Sequence, residues 1–158
     1  MTKYKILILL MIWSFMSVFN SQFSIQAQEY PVSAISDSLK KNADAVVRHF
    51  ESVFVQTDVN NATHKVIEIV TVLKEDGKEH GNTVIRLDKF RDLKKFSGKV
   101  TDASGKVIKK IGKKDLTTTA YSSEMASDSK YSYYEYQPTK YPYTVRYEYE
   151  VKIKNGIP

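Results

Sequence analysis

A chain of 158 residues carries a formal net charge of +6 and contains no cysteine. That length accommodates one domain and not two ordinary ones. The missing cysteine excludes a disulfide scaffold, a thiol nucleophile and a lipid anchored on an N-terminal cysteine.

The first segment reads as a leader. MTKYK carries two lysines and no acid, Ile6–Phe19 is the apolar run ILILLMIWSFMSVF, and NSQFSIQAQ is more polar. These are the three regions of a secretory signal peptide. Ala27 precedes the expected cut and Gln28 becomes the new N-terminus, although Ile25 is larger than the small residue usual two positions earlier. The rival reading is an uncleaved N-terminal anchor, but the run falls short of the roughly 18 residues that a span needs. Export would place residues 28–158 in the periplasm or outside the cell, with no membrane span after cleavage. Losing Lys3 and Lys5 lowers the formal charge from +6 to +4, a mild excess that favours solubility and weak attraction to anionic surfaces.

Glu29–Ile35 (EYPVSAI) is an extended lead-in with Pro31 breaking any helix. Ser36-Asp37-Ser38 supplies cap chemistry for a helix of one or two turns over LKKNA. From Ala45 the period is two: Val46, Phe50 and Phe54 share one side, while Val47, Val53 and Val55 lie with His49 and Glu51 on the other. DVNNAT is a turn or loop, and HKVIEIVTVL a strand covered on much of both faces. Asp76-Gly77 is a tight-turn signal, and TVIRLDKF after it alternates less well. GKVTDASGKVIKKI is a hairpin turning at Asp102–Gly105. TTTAYSSEMASDSK is polar, a long surface loop. Pro138 and Pro142 keep the segment between them out of a central strand.

Tyr143–Lys154 (YTVRYEYEVKIK) alternates strictly, with Tyr143, Val145, Tyr147, Tyr149, Val151 and Ile153 on one face. As a strand it is about 40 Å long, and its apolar face packs against a second sheet with the charged face in water. Asn155-Gly156 directly after it is a strong hairpin signal, yet only Ile157 and Pro158 follow. The expectation is a fragment of a longer protein. Seven strand candidates and one short N-terminal helix predict an all-β antiparallel sandwich over residues 28–158, incomplete at its C-terminal end.

Few residues suggest chemistry. His49, His64 and His80 have no metal-ligand spacing. Ser122 and Ser123 lie in a polar loop without a nearby histidine, and Glu148 and Glu150 sit between basic neighbours on an exposed strand face. No catalytic, cofactor-binding or metal-binding residue is assigned, and no cofactor is expected. Asn61-Ala62-Thr63 matches the glycosylation acceptor pattern. Lys94, Lys95, Lys99, Lys106, Lys109, Lys110, Lys113 and Lys114 crowd one hairpin, opposed within it only by Asp102. They read as a solvated face guarding an edge strand or as a patch for anionic glycan; export argues against nucleic acid. Eight of the eleven tyrosines fall between Tyr131 and Tyr149. Tyr143, Tyr147 and Tyr149 are expected in the core. Tyr131, Tyr133, Tyr134 and Tyr136 cannot all face one way. With Lys106, Lys109, Lys110, Lys113 and Lys114 they form the candidate contact surface.

SLKKNADAVVR, KVIEIVTVL, DKFRDLKKFSGKVTDASGKVIKKIGKKDL, the Tyr/Pro segment and YPYTVRYEYEV follow in an order that resembles a bacterial domain of unknown function. That domain sits N-terminal to transglutaminase-like domains in exported proteins. The likeness spans about Tyr30 to Gly156. It implies a sandwich that continues beyond this chain into a papain-like core with a Cys-His-Asp set. It transfers no catalytic residue here, since there is no cysteine. Two functions follow: a non-catalytic accessory domain whose partner is that C-terminal core, or a stand-alone secreted module binding glycan or anionic cell-surface material.

Overall fold

The computed structural model describes residues 30–120 and 128–155. The segment expected to be a leader, Ser122 and Ser123, and Gly156 lie outside the described residues. Among these residues eight strands follow one short helix: α1 (Asp37–Lys40), β1 (Ala45–Asp58), β2 (Asn61–Val72), β3 (Thr83–Leu87), β4 (Arg91–Asp102), β5 (Val107–Gly112), β6 (Thr117–Ala120), β7 (Lys130–Tyr134) and β8 (Tyr143–Lys154). They form two antiparallel sheets. Sheet A has the order β1-β2-β8-β4-β5 and sheet B the order β3-β7-β6. The all-β expectation holds.

β8 is the centre of sheet A, paired with β2 and β4 along its whole length. Tyr143, Val145, Tyr147, Val151 and Ile153 on its inner face are buried, joined by Val70 and Val72 of β2, Leu93, Phe96 and Val100 of β4 and Ile85 of β3. The period of two therefore selects the core, as the pleat requires. The outer face departs from expectation at one end, where Thr144 and Thr71 are buried. The lead-in covers them. Thr71 and Thr144 hydroxyls bond each other at 2.9 Å, Thr144 Oγ1 donates to the Tyr30 carbonyl, and Arg48 donates to the Pro31 carbonyl and to Thr71 Oγ1. The lead-in itself contains a 3-10 turn over Val32–Ala34 rather than running extended throughout.

Three loop expectations change. DVNNAT contracts to a tight turn at Val59-Asn60, because Asp58 accepts from the Asn60 N–H and from the Asn61 amide. Asp76-Gly77 lies in a 3-10 segment, Glu75–Gly81, and not in a hairpin; the strands it joins belong to different sheets, so the chain must cross between them. TTTA is strand β6 and not loop, since Thr117–Ala120 pairs with β7. The Asp102–Gly105 hairpin forms as expected. Asp102 accepts from Ser104 N–H, Ser104 Oγ and Lys106 N–H, and Gly105 takes a φ of 94°, the left-handed region that glycine enters without a Cβ clash.

Sheet A has two unlike edges. β5 is six residues long with Lys109 and Lys110 in it. β1 is fourteen residues long, has neither lysine nor proline, and exposes Val47, Phe50, Val53, Phe54 and Val55.

Candidate functional site

The alternation of β7 divides the predicted tyrosine surface. Ser132 pairs with buried Ile85 and faces sheet A, so Tyr131 and Tyr133 face outward, across from Arg86 and Val84 and from Thr119 and Thr117. Tyr134 and Tyr136 pack against the core. The Tyr136 ring meets Tyr143 edge-on at 5.0 Å, and its N–H donates to Asn82 Oδ1. Only half of the four tyrosines is thus available for an outer surface.

Register divides the lysines too. Lys106 is in the hairpin turn. Lys109 lies opposite buried Val100 and sets its ammonium 5.5 Å from the Tyr134 ring centre. Lys113 Nζ donates to the Leu93 carbonyl at 2.6 Å, where the β4 pairing slips past Lys94; it is a structural tie. Lys110 stands opposite Lys99, which stands opposite Arg146. These three form one cationic row across β5, β4 and β8 on the outer face of sheet A. Lys110, Lys99 and Arg146 line a hollow of about 590 Å³ with Lys114 and Asp115. Like charges directly across a sheet are destabilising, and among the described residues only Arg146 of the three has a carboxylate bonded to it, Glu148 at 3.1 Å. Sequence reading found the lysines and missed Arg146, which belongs to the row through strand register alone.

The histidines are dispersed. His49 pairs with Glu51 at 3.4 Å, and His80 lies in the 3-10 crossing. His64 Nε2 lies 2.8 Å from Ser52 Oγ on the inner face of sheet A. Among the described residues no carboxylate bonds to His64, and no three His, Asp or Glu side chains converge as metal ligands. Glu150 contacts Lys95 at 3.4 Å and Lys65 at 4.0 Å, so Glu148 and Glu150 are both engaged by cations on the solvated face. The Asn61 amide is held by both Asp58 carboxylate oxygens.

A further feature carried no chemical motif. Sheet B is narrower than sheet A, and the inner faces of β1 and β2 emerge beyond it. Val47, Phe50 and Phe54 are 62%, 62% and 53% exposed there. Beside them Glu68 lies opposite Phe50, and desolvation lifts its carboxyl above the ordinary range.

Residues 58–157 match the family DUF3857, a domain of unknown function with a solved structure. No curated protein matches the chain. Among solved structures, the chain resembles the crystal structure of a "putative protease" from Parabacteroides distasonis ATCC 8503. The TM-score is 0.59 with 12% identity over 72% of this chain. The chain spans 24% of that protein's length, and at this identity the likeness is one of fold. With the family match covering most of the described strands, the chain belongs to the DUF3857 family.

Proposed function

We propose that this chain is a non-catalytic, exported β-sandwich domain. It would serve as the N-terminal accessory part of a longer transglutaminase-like protein with a papain-like core. The observation that carries the reading is the match of scale. A DUF3857 fold without a cysteine corresponds to about a quarter of a protein described as a "putative protease". A papain-like reaction needs a thiol nucleophile activated by a histidine, and this chain has no cysteine to supply it. The chemistry would therefore reside elsewhere in the longer protein, and the domain's role would be to position or shield that core. The test is the coding sequence past Pro158. A frame that continues into a domain holding Cys, His and Asp supports the reading, and a stop codon directly after Pro158 sinks it. Export is tested separately, by N-terminal sequencing of the secreted product, which should begin at Gln28.

A second reading rests on the cationic row. Lys99, Lys110, Lys114 and Arg146 would bind anionic glycan through closely spaced charges whose mutual repulsion the ligand relieves. Its mark is binding that weakens with salt and falls at least about tenfold in Lys99→Glu/Lys110→Glu, a loss of roughly 1.4 kcal/mol. Salt-independent binding, or none, counts against it.

A further inference from the structure

The exposed strip on the inner face of sheet A borders a second unsatisfied element. β3 has β7 on one side and, among the described residues, no strand on the other. A cleft of about 310 Å³ opens between β3 (Val84, Ile85, Arg86) and the Tyr149 and Val151 side of sheet A, with His64 and Arg91, itself paired with Asp88, also lining it. A free backbone edge beside apolar side chains is the arrangement that accepts an added strand. The edge supplies hydrogen bonds, and alternate side chains fill the cleft. Phe54, in ring contact with His64 at 6.4 Å, and Phe50 lie in the path such a strand would take.

The end of β8 sits at one corner of this strip. Lys154 N–H donates to the Phe90 carbonyl and Asn155 N–H to the Asn60 carbonyl. β8 therefore ends between the β3–β4 turn and the β1–β2 turn. Asn155 has a φ of 52°, the conformation of a tight turn. A segment returning from that corner runs antiparallel to β3, the orientation of every other pair in both sheets.

We propose that the free edge of β3 takes up one further β-strand, which crosses Phe54, His64 and Phe50. The strand is supplied by the polypeptide leading on from β8 in the longer protein inferred above, on which reading this proposal rests. Its inward side chains are apolar, except for one cation or hydrogen-bond donor facing Glu68. That carboxylate is half-buried and has no hydrogen bond or ion pair among the described residues. A second copy of the chain fits less well, because strip against strip would bring two uncompensated Glu68 carboxylates into one desolvated interface.

Residues 1–158 contain no cysteine, so a label found on a peptide from this part of either protein reports only the introduced thiol. Phe54→Cys is made both in the chain ending at residue 158 and in the longer protein. Thiol labelling at that position is followed by peptide mass, with Leu39→Cys in the exposed helix α1, away from the end of β8, as the control. The expected result is labelling at least about tenfold slower at position 54 in the longer protein, with the control unchanged. Hydrogen exchange at the amides of residues 83–87 slows in parallel in the unsubstituted protein. Equal rates at position 54 overturn the added strand while leaving the accessory-domain reading intact. Protection already present in the chain ending at residue 158, and lost on dilution, overturns it in favour of a second copy. A stop codon after Pro158 removes both readings together.

Discussion

Two tyrosines on β8 make opposite use of the same atom. Tyr147 Oη donates to the Gly81 carbonyl at 2.7 Å. The Tyr143 hydroxyl is buried and has no partner among the described residues. Both rings are 1% exposed, so replacing either by Phe keeps nearly all the apolar contact. Tyr147→Phe strands a buried carbonyl and is expected to cost about 1–3 kcal/mol. Tyr143→Phe removes a hydroxyl that was desolvated without compensation, and is expected to gain about 1 kcal/mol. Urea unfolding at pH 7 reads both, as a lower midpoint for one and a higher midpoint for the other at unchanged slope. The alkaline limb gives an independent check. Desolvation, with Tyr141 and Tyr136 beside it, pushes the Tyr143 phenol up from 10.0 to about 12. The unfolded chain therefore ionises first. Stability from this group is intact below pH 10 and falls as pH rises toward 12, by at most about 1.4 kcal/mol per pH unit. In Tyr143→Phe that contribution vanishes. Equal destabilisation by the two substitutions, or an unchanged alkaline limb in Tyr143→Phe, would refute the reasoning.

Other substitutions test the same core from its neighbours. A Cβ on Gly81 would stand 2.4 Å from Tyr143 Oη, so Gly81→Ala is expected to cost about 2 kcal/mol. The cost should shrink in a Tyr143→Phe background, and an additive double-mutant cycle would count against the clash. Gly98→Ala places a Cβ 3.0 Å from Ile111 and 3.1 Å from the Tyr147 ring; a loss of about 1–3 kcal/mol is expected, and a stability unchanged in thermal unfolding would show that β4 and β5 can separate cheaply. Desolvation raises the Glu68 carboxyl, so its penalty is absent in acid and appears as pH rises through the folded value. Glu68→Gln is accordingly expected to stabilise the chain at pH 7 by less than about 1 kcal/mol, with the advantage fading toward pH 3 in urea titrations; an advantage independent of pH would mean that charge is not its source.

Most of the fold was legible because alternation and turn chemistry are local. The inward set of β8 follows from its period, and the Asp102–Gly105 hairpin from one acid and one glycine. β6 was not legible, since threonines suit strand and loop alike and only pairing with β7 decides between them. The burial of Thr144 was not legible either. It depends on a lead-in more than a hundred residues away in sequence. The candidate surfaces were legible as composition but not as geometry. The register separated Lys109 and Lys113 from Lys110, and brought in Arg146 from a distant strand. Alternation puts Phe50 and Phe54 on one side, as found, but it groups Val46 with them; the β-bulge between Val47 and His49 brings Val47 to their side instead and leaves Val46 on the outer face opposite Thr71. Nothing in their own sequence says that the opposing sheet ends before it reaches them.

The unlike edges of sheet A also limit how this molecule can associate with itself. Open-ended stacking requires one edge of a sheet to accept the opposite edge of the next, here β1 on β5, and the lysines of β5 oppose that step. β1 on β1 meets no such barrier, but it is a two-fold contact that consumes the permissive edge of both partners. What would remain outermost on each side is a lysine-bearing β5. Any self-association through sheet A would therefore close at a pair with a continuous ten-stranded sheet, and would not propagate into a fibre.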